Sequence, residues 1–260
     1  MNISYVGDGQ VYLLTGGGRC YSEMVAKFCR TEKTVEDIIA SPYTKSLLKD
    51  LINSNHKAAL EFDSFIFGIQ GYARVTEVQL VRKRMASYMI KSGRVDKGGK
   101  RSYDVVIPQD IEGVRSVSNL PIDKMVFNFF RYPITDADQV LRMNGYELLI
   151  DIQRNHFPDM DDTTPIMGNV QMEFDSNIIL SILEDWYNNG VAQGYKEEEL
   201  RYLKPQATEF KAAIMMNGSG LKDWLAIRMC KNAQHEIRDL ATKMWKAGLN
   251  VMPDMFEEFG

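Results

Sequence analysis

Cysteine is scarce in this chain: there are three in 260 residues. Cys20, Cys29 and Cys230 are too few and too scattered for a disulfide framework or a zinc ribbon, so each is expected to be a free, buried thiol. A reducing, cytoplasmic setting is expected to go with that. No apolar run is long enough to span a bilayer, and the first residues lack the basic-then-apolar pattern of a secretory signal, so no membrane partner is expected. An excess of charge of one sign is also missing. The 31 Lys and Arg nearly balance 35 Asp and Glu, for a net charge of −4. That argues against general nucleic-acid binding while leaving room for a local basic pocket. Repeats and low-complexity linkers are absent as well.

What remains is an ordinary globular composition, 45% hydrophobic and 25% charged, in a length that buries one substantial core. A single domain over residues 1–260 is expected. No metal is expected either. Asp159, Asp161 and Asp162 fall in a loop at Phe157 to Pro165 that lacks the spacing and terminal Glu of a calcium-binding loop, and it reads as a solvated acidic loop.

Hydrophobic periodicity sketches an α+β fold. Val11 to Leu14 reads as a strand, followed by a turn at Gly16-Gly17-Gly18 and a helix through Glu23 to Phe28. Thr34 is placed to cap a helix whose first turn holds Glu36 and Asp37. Leu47, Leu48, Leu51 and Ile52 share one face of a helix over Ser46 to Ser54. Phe62 to Ile69 alternates as a strand, and Val105 to Ile107, ending at Pro108, suggests another. Thr76 to Met85 reads as a helix with Val78, Leu80, Val81 and Met85 as its apolar positions. The region from about Pro133 to Tyr195 is expected to be mostly helical. Thr208 to Met216 reads as a strand, and Leu221 to Met229 and Ala233 to Trp245 as helices, with Gly218 and Gly220 breaking the chain before them.

Chemistry concentrates in Arg82-Lys83-Arg84-Met85-Ala86-Ser87-Tyr88-Met89-Ile90-Lys91-Ser92-Gly93-Arg94. Guanidinium groups bind phosphate through paired, directional hydrogen bonds. Ser87 and Ser92 add hydroxyls, and Gly93 lets backbone N–H groups approach an anion closely. On spacing alone two readings stand: a phosphate cradle at a helix end, and a solvated basic helix face.

The segment resembles the R-H-R-x-x-S-x-N-E-x-S-x-R motif of the flavin-dependent thymidylate synthases, with all three arginines and both serines in register. Lys83, Met89 and Ile90 stand where the motif has His, Asn and Glu. Further blocks follow in the family's order. His56 to Phe62 is similar to its H-x-x-x-x-E-H block, and Arg74 to Val81 to the R-A-x-x-x-Q-L approach. Gly194 to Arg201 is similar to G-x-x-x-E-x-A-R. Asn217 to Arg228 resembles N-x-R-x-L-x-x-F-L-x-L-R, and Ala233 to Arg238 resembles A-Q-x-E-I-R. Arg19 to Ser22 has the look of an N-terminal A-R-x-C-Y. The stretch from about 110 to 190 looks enlarged. Within the matching blocks, Ser219 replaces the pattern's second Arg and Asp223 its Asn, positions that help bind FAD in the family.

The resemblance implies a homotetramer of α+β subunits whose active sites are shared between copies. It implies FAD as cofactor, with methylenetetrahydrofolate and NADPH as co-substrates and a uridine nucleotide, dUMP first, as substrate. His56, Glu61, Arg82, Lys83, Arg84, Ser87 and Asn217 would be the cofactor-binding set. Gln79, Ser92, Gly93, Arg94, Arg201 and Arg228 would bind the nucleotide, with Arg228 and Ser92 catalytic. The expected reaction is methylation of dUMP to dTMP. The departures at Lys83, Met89, Ile90 and Ser219 keep two alternatives open: a paralogue modifying C5 of a different pyrimidine nucleotide or adding a different one-carbon group, and a non-catalytic nucleotide-binding homologue.

Overall fold

Aromatic and β-branched residues that alternate in and out make Ser64–Ala73 the longest strand of the chain. It is the second strand of a four-stranded antiparallel sheet in the computed structural model, which describes residues 2–17, 19–91, 103–111, 116–121, 142–143, 146–147, 169–174 and 176–259. The chain divides into two units, Met1–Pro108 with Glu197–Gly260, and Gln109–Lys196. In the first unit the elements are β1 (Ile3–Tyr5), β2 (Gln10–Thr15), α1 (Tyr21–Arg30), α2 (Val35–Ala40), α3 (Lys45–Asn53), β3 (Ser64–Ala73), α4 (Arg74–Leu80), β4 (Ala86–Ile90) and β5 (Val105–Ile107). The second unit holds β6 (Ser116–Pro121), β7 (Arg142–Met143), β8 (Tyr146–Glu147), β9 (Asn169–Phe174) and α5 (Ser176–Ala192). The first unit resumes with α6 (Glu197–Leu200), β10 (Glu209–Asn217), α7 (Gly218–Arg228), α8 (His235–Val251) and α9 (Pro253–Phe256). With β1 and β5 paired in parallel and the main sheet antiparallel, the class is α+β, as expected.

The main sheet runs β2-β3-β10-β4. Period-two alternation gives it an inner face of Phe65, Phe67, Ile69, Phe210, Ala212, Ile214 and Met216, all buried. Helices cover that face. Leu221, Trp224 and Leu225 of α7 and Ile237, Leu240, Ala241 and Met244 of α8 belong to the same core. The α8 residues recur at the three-and-four spacing of a buried helical stripe. The outer face of the sheet is different. Tyr12 and Leu14 of β2, Ser87 and Met89 of β4 and Met215 of β10 are exposed there.

The expected capping of α2 is present, with Thr34 Oγ1 accepting from the Asp37 N–H at 3.2 Å. Leu48 and Leu51 of α3 are buried, and Leu47 and Ile52 pack beside them. Other expectations are corrected. The helix placed over Thr76 to Met85 stops at Leu80, and Val78, Val81 and Met85 are exposed. Its last carbonyls are claimed by side chains. The Tyr88 hydroxyl lies 2.9 Å from both the Leu80 and Lys83 carbonyls, and Arg228 Nη2 donates to the Gln79 carbonyl at 3.1 Å. The following residues form β4, which pairs with β10 from Met216↔Ala86 to Ala212↔Ile90. The motif therefore leaves α4 by a short turn and runs along a strand, so no helix end leads into Lys91.

Gly218 and Gly220 do not break the chain; they open α7. A Cβ on Gly218 would lie 2.7 Å from the Leu60 carbonyl oxygen, and one on Gly220 would lie 2.8 Å from Asn217 Oδ1. Close approach, not flexibility, is what these glycines supply. The strand expected from Phe62 begins at Ser64, because Ala59–Phe62 forms a 3-10 turn. Asn169–Phe174 is a strand inside the region read as mostly helical, and it pairs with Ser116–Pro121. The acidic loop with Asp159, Asp161 and Asp162 lies outside the described residues. Cys20 is buried, and burial pushes its thiol up to about 12; Cys29 and Cys230 are free but exposed, which corrects the expectation for those two.

Candidate functional site

Helix α7 organises the site. Its 11 residues span roughly 16 Å, so its two ends are far enough apart to serve two ligand parts.

At its C-terminal end, three separate sequence blocks meet. Arg228, the last residue of α7, donates through Nη1 to Gln79 Oε1 at 3.4 Å and through Nη2 to the Gln79 carbonyl at 3.1 Å. The second bond also satisfies a carbonyl in the last turn of α4, where a cation is favoured by the helix dipole. Gln79 Nε2 faces Gln234 Oε1 at 3.4 Å, and the same Gln234 oxygen accepts from the Ile237 N–H at 3.3 Å to cap α8. The guanidinium is thereby held in one orientation by three helices. It uses two of its five N–H donors on protein, and the others have no partner among the described residues.

Behind this cluster lies Glu236, almost fully buried. Its carboxylate accepts from the Ala73 N–H at 2.8 Å and from Thr76 Oγ1 at 2.6 Å, tying the start of α8 to the start of α4. Desolvation raises its pKa, and these two hydrogen bonds act in the opposite direction.

At the N-terminal end, Asn217 caps α7 through Oδ1, which accepts from the Gly220 N–H at 2.7 Å. Its Nδ2 makes no hydrogen bond among the described residues. The 3-10 turn that carries Glu61 packs against this end: the Gly218 N–H donates to the Asp63 carbonyl at 2.7 Å. His56 and Glu61 are both exposed there. Lys83 brings the motif to the same corner. A Cβ built on Gly220 would lie 3.6 Å from Lys83 Cε, and the Lys83 ammonium lies 3.8 Å from Asp223 Oδ2. Lys57 closes the group at 2.9 Å from Asp223 Oδ1.

The expected residues thus divide. Gln79 and Arg228 come together at one end of α7, and Asn217 and Lys83, with the turn bearing Glu61, at the other; His56 precedes that turn and is exposed. Arg82 and Arg84 are exposed in the turn between α4 and β4. Ser87 lies on the outer face of the sheet opposite Met215. Arg201 donates to the Glu198 carbonyl at 3.2 Å, and among the described residues no hydrogen bond or ion pair joins it to either cluster. Ser92, Gly93 and Arg94 lie outside the described residues. The sequence alone does not single out Lys57 or Gln234 as site residues, and marks Asp223 only as a departure at a FAD-binding position of the pattern. For Lys57 and Asp223 the available signal was charge complementarity between two different blocks.

The model of the family described as thymidylate synthase complementing protein matches residues 14–254. The chain belongs to this family. It is 24% identical over 258 residues to the flavin-dependent thymidylate synthase of Geobacter sulfurreducens, covering 99% of this chain and 85% of that one. It is 26% identical over 246 residues to the enzyme of the same name from Clostridium tetani, covering 90% and 79%. Two solved structures share its fold at 18% identity. A UMP/dUMP methylase, PolB from Streptomyces cacaoi, bound with 5-Br dUMP, has a TM-score of 0.63 and covers 100% of this chain and 97% of that one. Thymidylate Synthase X from Helicobacter pylori, with FAD and dUMP, has a TM-score of 0.59 and covers 96% and 98%. As a family member the chain is a transferase of the flavin-dependent thymidylate synthase type.

The residues present suit FAD. Lys57 and Lys83 set cationic donors beside the first turns of α7, the Nδ2 of Asn217 is a further donor, and Arg82 and Arg84 are exposed on either side of Lys83. That donor set matches the anionic diphosphate of a dinucleotide.

Proposed function

We propose that this protein methylates C5 of a uridine monophosphate, converting dUMP to dTMP, with methylenetetrahydrofolate as one-carbon donor and NADPH as reductant. Bound FAD, once reduced, supplies the hydride that completes the methyl group. The observation that carries the reading is the meeting of Gln79, Arg228 and Gln234, which come from three blocks of the family pattern and orient a guanidinium with donors to spare. Those donors suit a uracil carbonyl, whose oxygen gains negative charge as C5 becomes nucleophilic. Asn217, Lys83, Arg82 and Arg84, with Ser87, His56 and Glu61, would hold the flavin and folate side. Ser92, Gly93, Arg94 and Arg201 would grip the sugar and phosphate, with Ser92 also catalytic.

A site shared between copies in a homotetramer goes with this reading, and Arg201 would join Arg228 at the nucleotide there. The bare outer face of the sheet supports self-association as well: Met89 is 76% and Leu14 60% exposed. A cytoplasmic setting goes with this metabolic role.

Release of tritium from the 5-position of dUMP, with FAD, NADPH and methylenetetrahydrofolate supplied, tests the reading. A purified protein that takes up FAD and releases tritium is expected. No flavin uptake and no release would overturn it in favour of a non-catalytic nucleotide-binding protein.

One observation favours a second reading. Ile90, where the motif has Glu, turns to the inner face of β4 with Tyr88 and packs against the core, so it offers no carboxylate to a sugar hydroxyl. A different sugar or base edge would no longer need that carboxylate, which favours a paralogue that takes another pyrimidine nucleotide beside dUMP, and a UMP/dUMP methylase shares the fold. Tritium release from UMP at a rate comparable to dUMP would establish this wider specificity.

A further inference from the structure

Helix α4 is too short to hold itself. It has seven residues, and an isolated helix of that length is not stable in water. Ala73 at its N-cap has no side chain that could cap it, so its first N–H groups are satisfied from elsewhere. The Arg74 N–H donates to the Thr208 carbonyl at 3.0 Å and the Val75 N–H to the Gln206 carbonyl at 3.2 Å. Charged side chains then take its two ends. At the start, the Glu236 carboxylate accepts from the Ala73 N–H and the Thr76 hydroxyl. At the finish, Arg228 donates to the Gln79 carbonyl. An anion at the first end and a cation at the last are each the sign that the helix dipole favours.

The orientation of Arg228 follows from that of α4. Among the described residues, both hydrogen bonds that hold its guanidinium end on Gln79. Gln79 in turn faces Gln234, which caps α8, and Glu236 lies in the first turn of that same helix. The start of α8 therefore grips α4 twice, by an amide near its last turn and by a carboxylate at its first. Glu236 is 1% exposed and Thr76 fully buried, so neither is open to a ligand. Burying a carboxylate costs more than burying an apolar side chain of its size. What it supplies here is direction: two acceptor oxygens fix where α4 begins, whereas apolar contact alone would let the helix slide.

We infer that Glu236 is a positioning residue for the Arg228 guanidinium, acting through Thr76 and the short helix α4 from a place that no ligand reaches. The inference rests on the nucleotide reading above, in which the spare donors of Arg228 meet the uracil carbonyl.

The full chain with FAD supplies the first test. Glu236→Gln keeps the shape and removes one acceptor oxygen; Thr76→Val keeps the shape and removes the hydroxyl. In tritium release from dUMP each should lower kcat about fivefold to tenfold, with the KM for dUMP and the affinity for FAD within about twofold of the parent, because a turned guanidinium loses most where charge develops. Thr76→Ser, which keeps the hydroxyl, should recover the parent's kcat. The second test needs neither flavin nor nucleotide. Modification of Arg228 by phenylglyoxal, followed by peptide mass, should run about threefold faster in Glu236→Gln and Thr76→Val than in the parent, because Gln79 is no longer held against the guanidinium. Unchanged Arg228 reactivity in both variants would overturn the inference, and so would an unchanged kcat beside a lowered unfolding midpoint, the mark of a merely structural contact. If the parent releases no tritium and dUMP does not shield its Arg228 from phenylglyoxal, the nucleotide reading fails, and the reactivity arm still decides whether Glu236 positions the guanidinium. Should Glu236→Gln fail to fold, Thr76→Val carries both tests.

Discussion

The two ends of α7 have diverged in opposite ways. At the C-terminal end, Arg228, Gln79 and Gln234 keep the residue types of the family pattern, and a network of one cation and two amides fixes the guanidinium. At the N-terminal end the residue types have changed, and an ion-pair group of Lys57, Asp223 and Lys83 stands there. One helix connects the ends, and one core of Leu221, Trp224 and Leu225 holds it against the sheet, so the contrast cannot come from a difference in scaffold. In the proposed reading, it makes the nucleotide grip and the flavin grip separable. A rigid cation held by neutral amides tolerates little change, because each partner left unpaired in a desolvated site costs about 1–3 kcal/mol. An exposed ion-pair group can be exchanged piece by piece at small cost.

The largest effect should come from the C-terminal end. Arg228→Ala is expected to lower nucleotide affinity by at least about a hundredfold, since it removes a charged group from a partly buried network. FAD binding should stay near that of the parent, while the unfolding midpoint falls by the loss of the two hydrogen bonds to Gln79 with the fold retained. Titration calorimetry with dUMP and with FAD measures both sides, and equal loss of both ligands would erase the distinction between the ends.

Gly220→Ala probes the other end. The added methyl would sit 2.8 Å from Asn217 Oδ1, displacing the cap and crowding Lys83. A loss of about 1 kcal/mol of stability is expected from the cap, together with weaker FAD binding and unchanged dUMP affinity. Chemical denaturation with ligand titration reads this, and a fall in dUMP affinity would mean that the ends are coupled through the helix.

A third variant sharpens the substrate side. Restoring the outer-face residue of the motif with Met89→Asn should raise dUMP turnover in tritium release, since residue 89 is exposed, whereas Ile90→Glu would bury a carboxylate against the core. An unchanged rate in Met89→Asn would mean that residue 89 does not reach the nucleotide.

The smallest effect belongs to a charge pair that shares no residue with either end. Asp254 of α9 accepts from Lys45 and from the Tyr43 hydroxyl, and chiefly the Lys45 contact lowers its pKa. A carboxylate whose folded pKa is depressed stabilises the fold above its unfolded value, about 3.9, and that stabilisation fades as pH falls through the folded value. The unfolding midpoint should therefore drop below about pH 4, less steeply in Asp254→Asn. Ligand affinities at neutral pH should not move in that variant.

Much of this architecture was legible in the residues. Strand β3 and helix α3 declare themselves by periodicity, because one face of each is buried and that face selects their apolar residues. Strand β4 was not legible. Its five residues follow three consecutive basic ones, and the pairing that makes it a strand comes from β10, more than a hundred residues away. The same logic governs the site. Gln79 and Arg228 were reachable because they sit in ordered blocks, whereas Gln234 as their partner was not, since a contact 155 residues apart leaves no local signal. Asp223 was visible only as a departure, and its meaning needed Lys83 and Lys57 beside it.

Equilibrium binding of dUMP to the parent protein and to Arg228→Ala tests the central claim most directly. Saturable uptake of one nucleotide per chain by the parent, and none by a variant that remains folded at the assay temperature, is the predicted result. Equal uptake by both would contradict it, and would move the nucleotide away from the Gln79–Arg228 end of α7.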